Sequence, residues 1–136
     1  MSLGSRPDAP KLKVDASFMM LINTDADWEQ KVLQAGDKLL VIVDVFSPTW
    51  GPCEMLASHF SNMFFDLGED LGMRFVRADS SKLAACAEFK DNPKPHFLFI
   101  HNGTEVERIE GPNLPAIDKT VKTKAPRLRE VPGWSG

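Results

Sequence analysis

The sequence lacks the features that mark several large classes of protein. Its 136 residues include only two cysteines, Cys53 and Cys86, which are too few for a disulfide scaffold. No apolar run approaches the roughly 20 residues that a membrane-spanning helix needs, and the first residues lack the apolar core of a signal peptide. We therefore expect a protein without a membrane partner that works in a reducing, cytoplasmic environment.

The chain also lacks an excess of basic residues. Lys and Arg together number 16 against 19 Asp and Glu, which gives a formal net charge of -3. Nucleic-acid-binding domains normally carry clustered positive charge, so this balance argues against a nucleic-acid partner. Hydrophobic residues at 43% and charged residues at 26% are typical of a soluble globular domain. A chain of this length buries a core without disulfides or metal.

Hydrophobic periodicity predicts elements in the order β-α-β-α-β-α-β-β-α. The second apolar run contains a single aspartate and is typical of a strand buried on both faces of a parallel sheet. Thr24 is predicted to cap the first helix and Ser80 or Ser81 the third, and Asn102-Gly103 predicts a hairpin. The predicted strands cover 18–22, 39–46, 74–79, 96–100 and 104–110, and the predicted helices cover 24–36, 53–71, 80–90 and 114–124.

Composition divides the chain into three parts. Residues 1–16 contain two prolines and little periodicity, which predicts a flexible N-terminal arm. Residues 17–124 carry all the predicted elements and form the expected domain. Residues 125–136 are polar, with two further prolines, and are predicted to be a solvated tail.

The segment after the second predicted strand resembles the active-site segment of the thioredoxins. Residues 44–53 are Asp-Val-Phe-Ser-Pro-Thr-Trp-Gly-Pro-Cys, and the family places an Asp on a buried strand before Trp-Cys-Gly-Pro-Cys. Pro95 resembles the family's cis-proline, which implies a cis peptide bond between Lys94 and Pro95, and Gly111 follows it at the family's spacing. The resemblance covers roughly 18–124. It implies a thioredoxin-like α/β fold, with a central mixed sheet of about five strands flanked by about four helices.

The sequence departs from the family at the residues that carry its chemistry. Thioredoxins use two cysteines, whereas this segment contains only Cys53, in the position of the resolving cysteine. Trp50 either replaces the first cysteine or keeps the family's Trp position beside a one-residue deletion. The family's lysine after the second cysteine is Glu54 here, and its lysine on the third strand maps approximately to Phe75. A two-cysteine cycle is therefore impossible at this segment.

The candidate site residues each have a structural alternative. Cys53 is either a reactive single thiol or an inert buried helix residue, because cysteine packs as a small hydrophobe. Asp44 is a candidate remnant of the family's proton-transfer group, or a structural carboxylate that is neutral or hydrogen-bonded. Trp50 either anchors a partner or packs over the loop. The expected binding groove consists of Trp50, Gly51, Pro52, Lys94, Pro95 and Gly111.

Two other groups of residues carry no predicted chemistry. Cys86 has no motif around it and is expected to pack in the protein. His59, His96 and His101 do not follow the spacing of metal ligands and are expected at the surface. We therefore predict neither a metal nor a cofactor.

The resemblance implies a protein-binding module without dithiol reductase activity, which acts through the groove around Trp50 and Pro95. The alternative is a monothiol thiol-disulfide oxidoreductase that uses Cys53 in cell redox homeostasis, and a third possibility is a structural subunit held by its tails. The stretch 95–105 also resembles the thioredoxin-related subunits of ciliary dynein. That resemblance implies a protein partner in the axoneme and a location in the cilium or flagellum.

Overall fold

A computed structural model describes residues 18–47 and 54–128 of the chain. The predicted N-terminal arm and residues 129–136 of the predicted tail lie outside these ranges. Within them, strands and helices follow the predicted order. The strands are β1 (Met19–Ile22), β2 (Leu40–Phe46), β3 (Met73–Asp79), β4 (His96–His101) and β5 (Thr104–Glu110). The helices are α1 (Asp25–Trp28, continued by a π-helical turn over Glu29–Leu33), α2 (Glu54–Leu67), a 3₁₀ helix (Ala84–Phe89) and α3 (Leu114–Lys124).

The strands form one mixed sheet in the order β1-β3-β2-β4-β5. β3 runs parallel to both of its neighbours, β1 and β2. β4 runs antiparallel to β2, and β5 runs antiparallel to β4. Parallel strands must be joined by crossovers, which contain α1 and α2 here, whereas β4 and β5 are joined by a tight turn. The predicted thioredoxin-like α/β fold is confirmed.

The central strand β2 is buried on both faces and separates two core layers. Its even-numbered residues Leu40 and Ile42 belong to the layer that includes α2 and α3. Its odd-numbered valines belong to the layer that includes α1 and the 3₁₀ helix. Successive side chains of a strand point to opposite faces. Asp44 therefore shares the α2 face with Leu40 and Ile42.

Local sequence preferences explain the start of α1 and the turn between β4 and β5. The Oγ1 of Thr24 accepts a hydrogen bond from the backbone N–H of Asp27 at 3.0 Å, so Thr24 caps α1 as predicted. Asn102 and Gly103 have φ angles of 51° and 81°. Both central positions of a type I′ hairpin turn need a positive φ, which explains the Asn-Gly pair between β4 and β5.

The third helix differs from the prediction in type and in its cap. It is a 3₁₀ helix that begins after Leu83, and Leu83 makes no side-chain cap. Ser81 instead donates hydrogen bonds from its N–H and its hydroxyl to the carboxylate of Asp79. The N–H of Ala84 is satisfied by Asp25 Oδ1 at 2.9 Å. The serine cap was therefore a wrong prediction, because a distant aspartate takes the exposed helix donor.

The first residues after α3 pack against the turn that precedes β3. The N–H of Gly72 donates to the carbonyl of Pro126 at 2.8 Å, and the N–H of Leu128 donates to the carbonyl of Asp70 at 2.9 Å. A Cβ atom at Gly72 would collide with the backbone oxygen of Lys38. This close approach of three chain segments explains the glycine.

Phe75 on β3 should be a sensitive position for stability. Its side chain is fully buried, and its ring centroid lies 5.1 Å from that of Phe60 and 5.4 Å from that of Phe18. We expect Phe75→Leu to lower the free energy of unfolding by about 1–2 kcal/mol, because it removes aromatic contacts and leaves unfilled volume. Urea denaturation measures the change.

Phe65→Leu is the matched control, because the Phe65 side chain is 65% exposed. The same chemical change there should shift the free energy of unfolding by no more than about 0.5 kcal/mol. Equal losses in the two variants would contradict the placement of Phe75 in the core.

Candidate functional site

The structure describes only part of the site expected from the sequence. Trp50, Gly51, Pro52 and Cys53 lie outside the described residues. Asp44, Lys94, Pro95 and Gly111 lie within them. The undescribed segment connects the carboxyl end of β2 to the start of α2. The geometry around those two ends therefore frames the candidate site.

The sheet register brings Pro95 next to the carboxyl end of β2. β2 and β4 are antiparallel, with Val45 opposite His96, so Pro95 lies where β2 ends. The N–H of Gly111 donates a hydrogen bond to the carbonyl oxygen of Pro95 at 2.8 Å. Pro95 and Gly111 were predicted as parts of one groove, and the structure brings these two residues together.

The predicted cis peptide before Pro95 is wrong. None of the peptide bonds between described residues is cis, so the bond from Lys94 to Pro95 is trans. The trans form is favoured for X-Pro bonds by about 0.5–1 kcal/mol without further contacts. The cis form was expected from the resemblance to the family, whereas the bond in this chain has the ordinary trans form.

The backbone of Lys94 already makes hydrogen bonds within the chain. Its N–H donates to Asn92 Oδ1 at 3.0 Å, and its carbonyl oxygen lies 3.1 Å from Nδ1 of His96. A partner strand that paired with Lys94 would have to displace both contacts. The side chains on this face are therefore better placed than the Lys94 backbone to contact a partner.

His96 is buried behind this face, which corrects the expectation of a surface histidine. It is 6% exposed, and its ring centroid lies 4.5 Å from that of Phe89. Its Nε2 lies 3.3 Å from Oε2 of Glu110, whose other carboxylate oxygen, Oε1, lies 4.0 Å from Nζ of Lys94. In the sequence, the only sign of this cluster of Lys94, His96 and Glu110 is that His96 directly follows Pro95.

Asp44 has a basic neighbour that the sequence analysis missed. Arg77 stands directly opposite Asp44 in the parallel register of β2 and β3, and its Nε lies 3.4 Å from Asp44 Oδ2. The Asp44 side chain is 1% exposed and that of Arg77 is 15% exposed. Phe75, which was matched to the family's lysine, is a core residue two positions earlier. The cation near Asp44 therefore lies at position 77, two residues after the position that was matched to the family's lysine.

The cysteine within the described residues is inert. Cys86 is a free thiol with no exposed surface and packs in the layer below α1. Burial, together with the nearby negative charges of Glu88 and Asp25, raises its pKa to about 12. A thiol with this pKa is protonated at neutral pH, so Cys86 is not a nucleophile.

A second concave surface lies between α2 and α3. It has a volume of about 220 Å³ and includes the pair formed by His59 and Asp118, whose Nε2 and Oδ1 atoms are 2.6 Å apart. Among residues 18–47 and 54–128, no group of three or more His, Cys, Asp and Glu side chains is arranged to hold a metal ion. No helix in those ranges is both long and apolar enough to cross a bilayer.

Comparison with known proteins agrees with the fold. The chain matches the Thioredoxin family over residues 19–123. A solved structure of Fasciola hepatica thioredoxin superposes with a TM-score of 0.63 and 26% identity, over 78% of this chain and 99% of that chain. The chain belongs to the thioredoxin family.

Two of its relatives are named as dynein subunits of Chlamydomonas reinhardtii. The chain is 35% identical over 105 residues to the "Dynein 14 kDa light chain, flagellar outer arm", covering 77% of this chain and 80% of that protein. It is 31% identical over 113 residues to the "Dynein 16 kDa light chain, flagellar outer arm", covering 81% and 70% respectively. The chain is therefore a thioredoxin-like protein related to dynein light chains.

Substitutions of Asp44 and Arg77 should have strongly non-additive effects on the free energy of unfolding. We expect Arg77→Met to lower the free energy of unfolding by about 3–5 kcal/mol, because it leaves a buried carboxylate without its cation. The double variant Asp44→Leu/Arg77→Met should recover much of that loss, since it removes both charges. Urea denaturation of the two single variants and the double variant measures the coupling.

Arg74→Met on the same strand is the control for the loss of an arginine. Arg74 makes an exposed hydrogen bond to the backbone oxygen of Lys31. This substitution should cost no more than about 1.5 kcal/mol. Strictly additive effects of the Asp44 and Arg77 substitutions would contradict a buried ion pair.

The raised pKa of Cys86 also predicts a loss of stability in alkaline solution. Its ordinary pKa is 9.0 and its pKa in the folded protein is about 12, so the folded chain keeps the proton that the unfolded chain loses. The contribution of the Cys86 thiol to the free energy of unfolding is therefore fully present below pH 9.0 and is lost between pH 9.0 and about 12. The slope is about 1.4 kcal/mol per pH unit.

Denaturation at several pH values, compared with Cys86→Ala, isolates this contribution from the titration of lysines. Between pH 9.0 and about 12, the free energy of unfolding of Cys86→Ala should fall less steeply with pH than that of the unmodified protein. Parallel pH profiles of the two proteins would show that the Cys86 thiol is accessible to water in the folded state.

Proposed function

We propose that this protein is a thioredoxin-like binding module that does not work as a dithiol reductase. The observation that carries the proposal is the single sulfur in the segment 44–53, where Trp50 precedes Gly51-Pro52-Cys53. Reduction of a disulfide by a thioredoxin forms a mixed disulfide with one thiolate, which a second thiol then resolves. One cysteine at this segment supplies only one of those two groups.

The surroundings of Asp44 support the same proposal. A buried carboxylate that transfers protons must change its charge during the reaction. The guanidinium of Arg77, whose Nε lies 3.4 Å from Asp44 Oδ2, forms a buried ion pair with Asp44. Asp44 is therefore better suited to a structural ion pair than to a proton-transfer cycle.

The proposed binding surface is the groove predicted from the sequence, namely Trp50, Gly51, Pro52, Lys94, Pro95 and Gly111. Its described part offers an exposed Lys94 side chain next to Pro95, with the carbonyl of Pro95 fixed by Gly111. A tryptophan near such a surface is a good anchor, because aromatic residues dominate binding energy at interfaces. Contacts through side chains fit this surface, because the Lys94 backbone is already hydrogen-bonded.

We further propose that the partner is a component of an axonemal dynein and that the protein is located in the cilium or flagellum. The support is the similarity to the two flagellar outer arm light chains, of which this chain covers 80% and 70%. Purified outer arm dynein is the direct probe. The tagged protein should bind it, and both Trp50→Ala and Lys94→Glu should weaken binding by about tenfold.

Lys119→Glu is the matched control, because Lys119 is an exposed lysine on α3, away from the proposed groove. It changes the net charge as Lys94→Glu does, and it should leave binding within about twofold. Absence of binding by the unmodified protein would contradict the dynein partner. Equal loss in the two charge variants would contradict the groove.

The redox part of the proposal has its own test. We expect no insulin reduction above the background of buffer thiols when the protein is coupled to a thioredoxin reductase, because the second thiol is absent. Trp50→Cys should produce measurable turnover if Trp50 replaces the first cysteine. Activity of the unmodified protein that disappears in Cys53→Ser would instead establish the monothiol enzyme.

A further inference from the structure

The concave surface between α2 and α3 is not part of the proposed groove. Met63 and Leu67 of α2 supply its apolar part. Its volume of about 220 Å³ is below the roughly 300–1,000 Å³ of pockets that hold drug-sized ligands. It therefore suits one large side chain. The polar side chains that line it are His59, Asn62, Asp66, Asp118 and Lys122.

Two of its charged side chains are left to meet an occupant. His59 and Asp118 pair with each other, with Nε2 and Oδ1 2.6 Å apart. Asp66 and Lys122 are exposed, and within residues 18–47 and 54–128 neither has a salt bridge. The surface therefore offers one hydrogen-bond acceptor and one cation beside its apolar part.

These groups fit the indole of a tryptophan. A methionine such as Met63 makes favourable contacts with aromatic rings. A buried indole needs an acceptor for its N–H, and the carboxylate of Asp66 is one. The ammonium of Lys122 is attracted to the face of an indole. Apolar, acceptor and cationic groups of this surface each match one part of that side chain.

The residues that follow α3 lead towards this surface. Arg127 forms an antiparallel bridge with Leu71, so the chain there runs back from the start of β3 towards the end of α2. The N–H of Leu128 donates to the carbonyl of Asp70 at 2.9 Å, and the N–H of Asp70 donates to the carbonyl of Leu67 at 3.0 Å. Leu128 is therefore close to Leu67, which lines the surface.

The next residues of the chain contain a tryptophan at a suitable distance. Residues 129–136 are Arg-Glu-Val-Pro-Gly-Trp-Ser-Gly, and Trp134 comes six residues after Leu128. Six extended residues span at most about 21 Å, whereas the eight residues of α2 from His59 to Leu67 cover about 12 Å. Pro132-Gly133 favours a turn, which lets Trp134 fold back against the helices.

Charge also favours this segment as the occupant. Glu69 and Asp70 are exposed next to Leu128, and the last turn of α2 contains no basic residue. The C-terminus of a helix is stabilised by a cation, and Arg129 is the first residue after Leu128. Residues 1–17 include no aromatic side chain, so they fit the surface less well.

We propose that the chain's own residues 129–136 occupy the concave surface between α2 and α3. The indole of Trp134 packs on Met63 and Leu67 and donates its N–H to Asp66, while Arg129 lies beside Glu69. Because a short tether gives an effective concentration in the millimolar range, weak contacts suffice to hold the segment. The proposal is independent of the groove around Trp50.

NMR of the full chain tests where Trp134 lies. We expect nuclear Overhauser effects between its indole protons and the methyl groups of Met63 and Leu67. Trp134→Ser should abolish them and shift the amide signals of residues 59–67 and 118–122. Val131→Ser is the matched control, because it also replaces an apolar side chain of the segment with serine, and it should leave those amide signals in place.

A charge exchange tests the position of Arg129. Glu69→Lys should lower the ratio of bound to free segment by about two- to fivefold, as expected for an exposed charge pair. Adding Arg129→Glu to this variant should restore the ratio. Glu107→Lys makes the same change at an exposed position on β5 and should have no effect. The averaged amide shifts of residues 59–67 report the ratio.

Three results would overturn the proposal. The first is the absence of Overhauser effects from Trp134 to Met63 and Leu67. The second is that these effects occur only between molecules in a mixture of labelled and unlabelled protein, which would assign the surface to a second copy. The third is an equal effect of Glu69→Lys and Glu107→Lys.

Discussion

The burial of one carboxylate constrains the centre of this molecule. Asp44 lies on the middle strand of the sheet with 1% of its side chain exposed, and a charge so placed needs a compensating cation. Arg77 supplies it from the neighbouring parallel strand. A one-residue slip of β2 against β3 would move Asp44 to the other face and separate the pair. The ion pair therefore favours the observed register of β2 against β3.

The same register organises the face where the family carries out its chemistry. Because β2 is antiparallel to β4, the end of β2 lies next to Pro95, and the Gly111 N–H holds the Pro95 carbonyl. The thioredoxin scaffold is thus retained around a segment that has one cysteine.

The parts of the site that sequence reasoning missed depend on contacts between distant residues. The resemblance matched the family's lysine to Phe75, but only the pairing of β2 with β3 identifies Arg77 as the neighbour of Asp44. The serine cap failed because Asp25, far away in sequence, accepts the N–H of Ala84. The isomer before Pro95 was transferred from the family, and no local residue determines it.

The sequence by itself determined the order of the elements, the two-faced burial of β2 and the hairpin at Asn102-Gly103. These depend on hydrophobic periodicity and on backbone preferences within a few residues. It also determined that the segment before α2 contains one sulfur. The tertiary structure alone decided the partner of Asp44 and the burial of His96. Those features depend on strand order and register, which arise from packing between residues far apart in the chain.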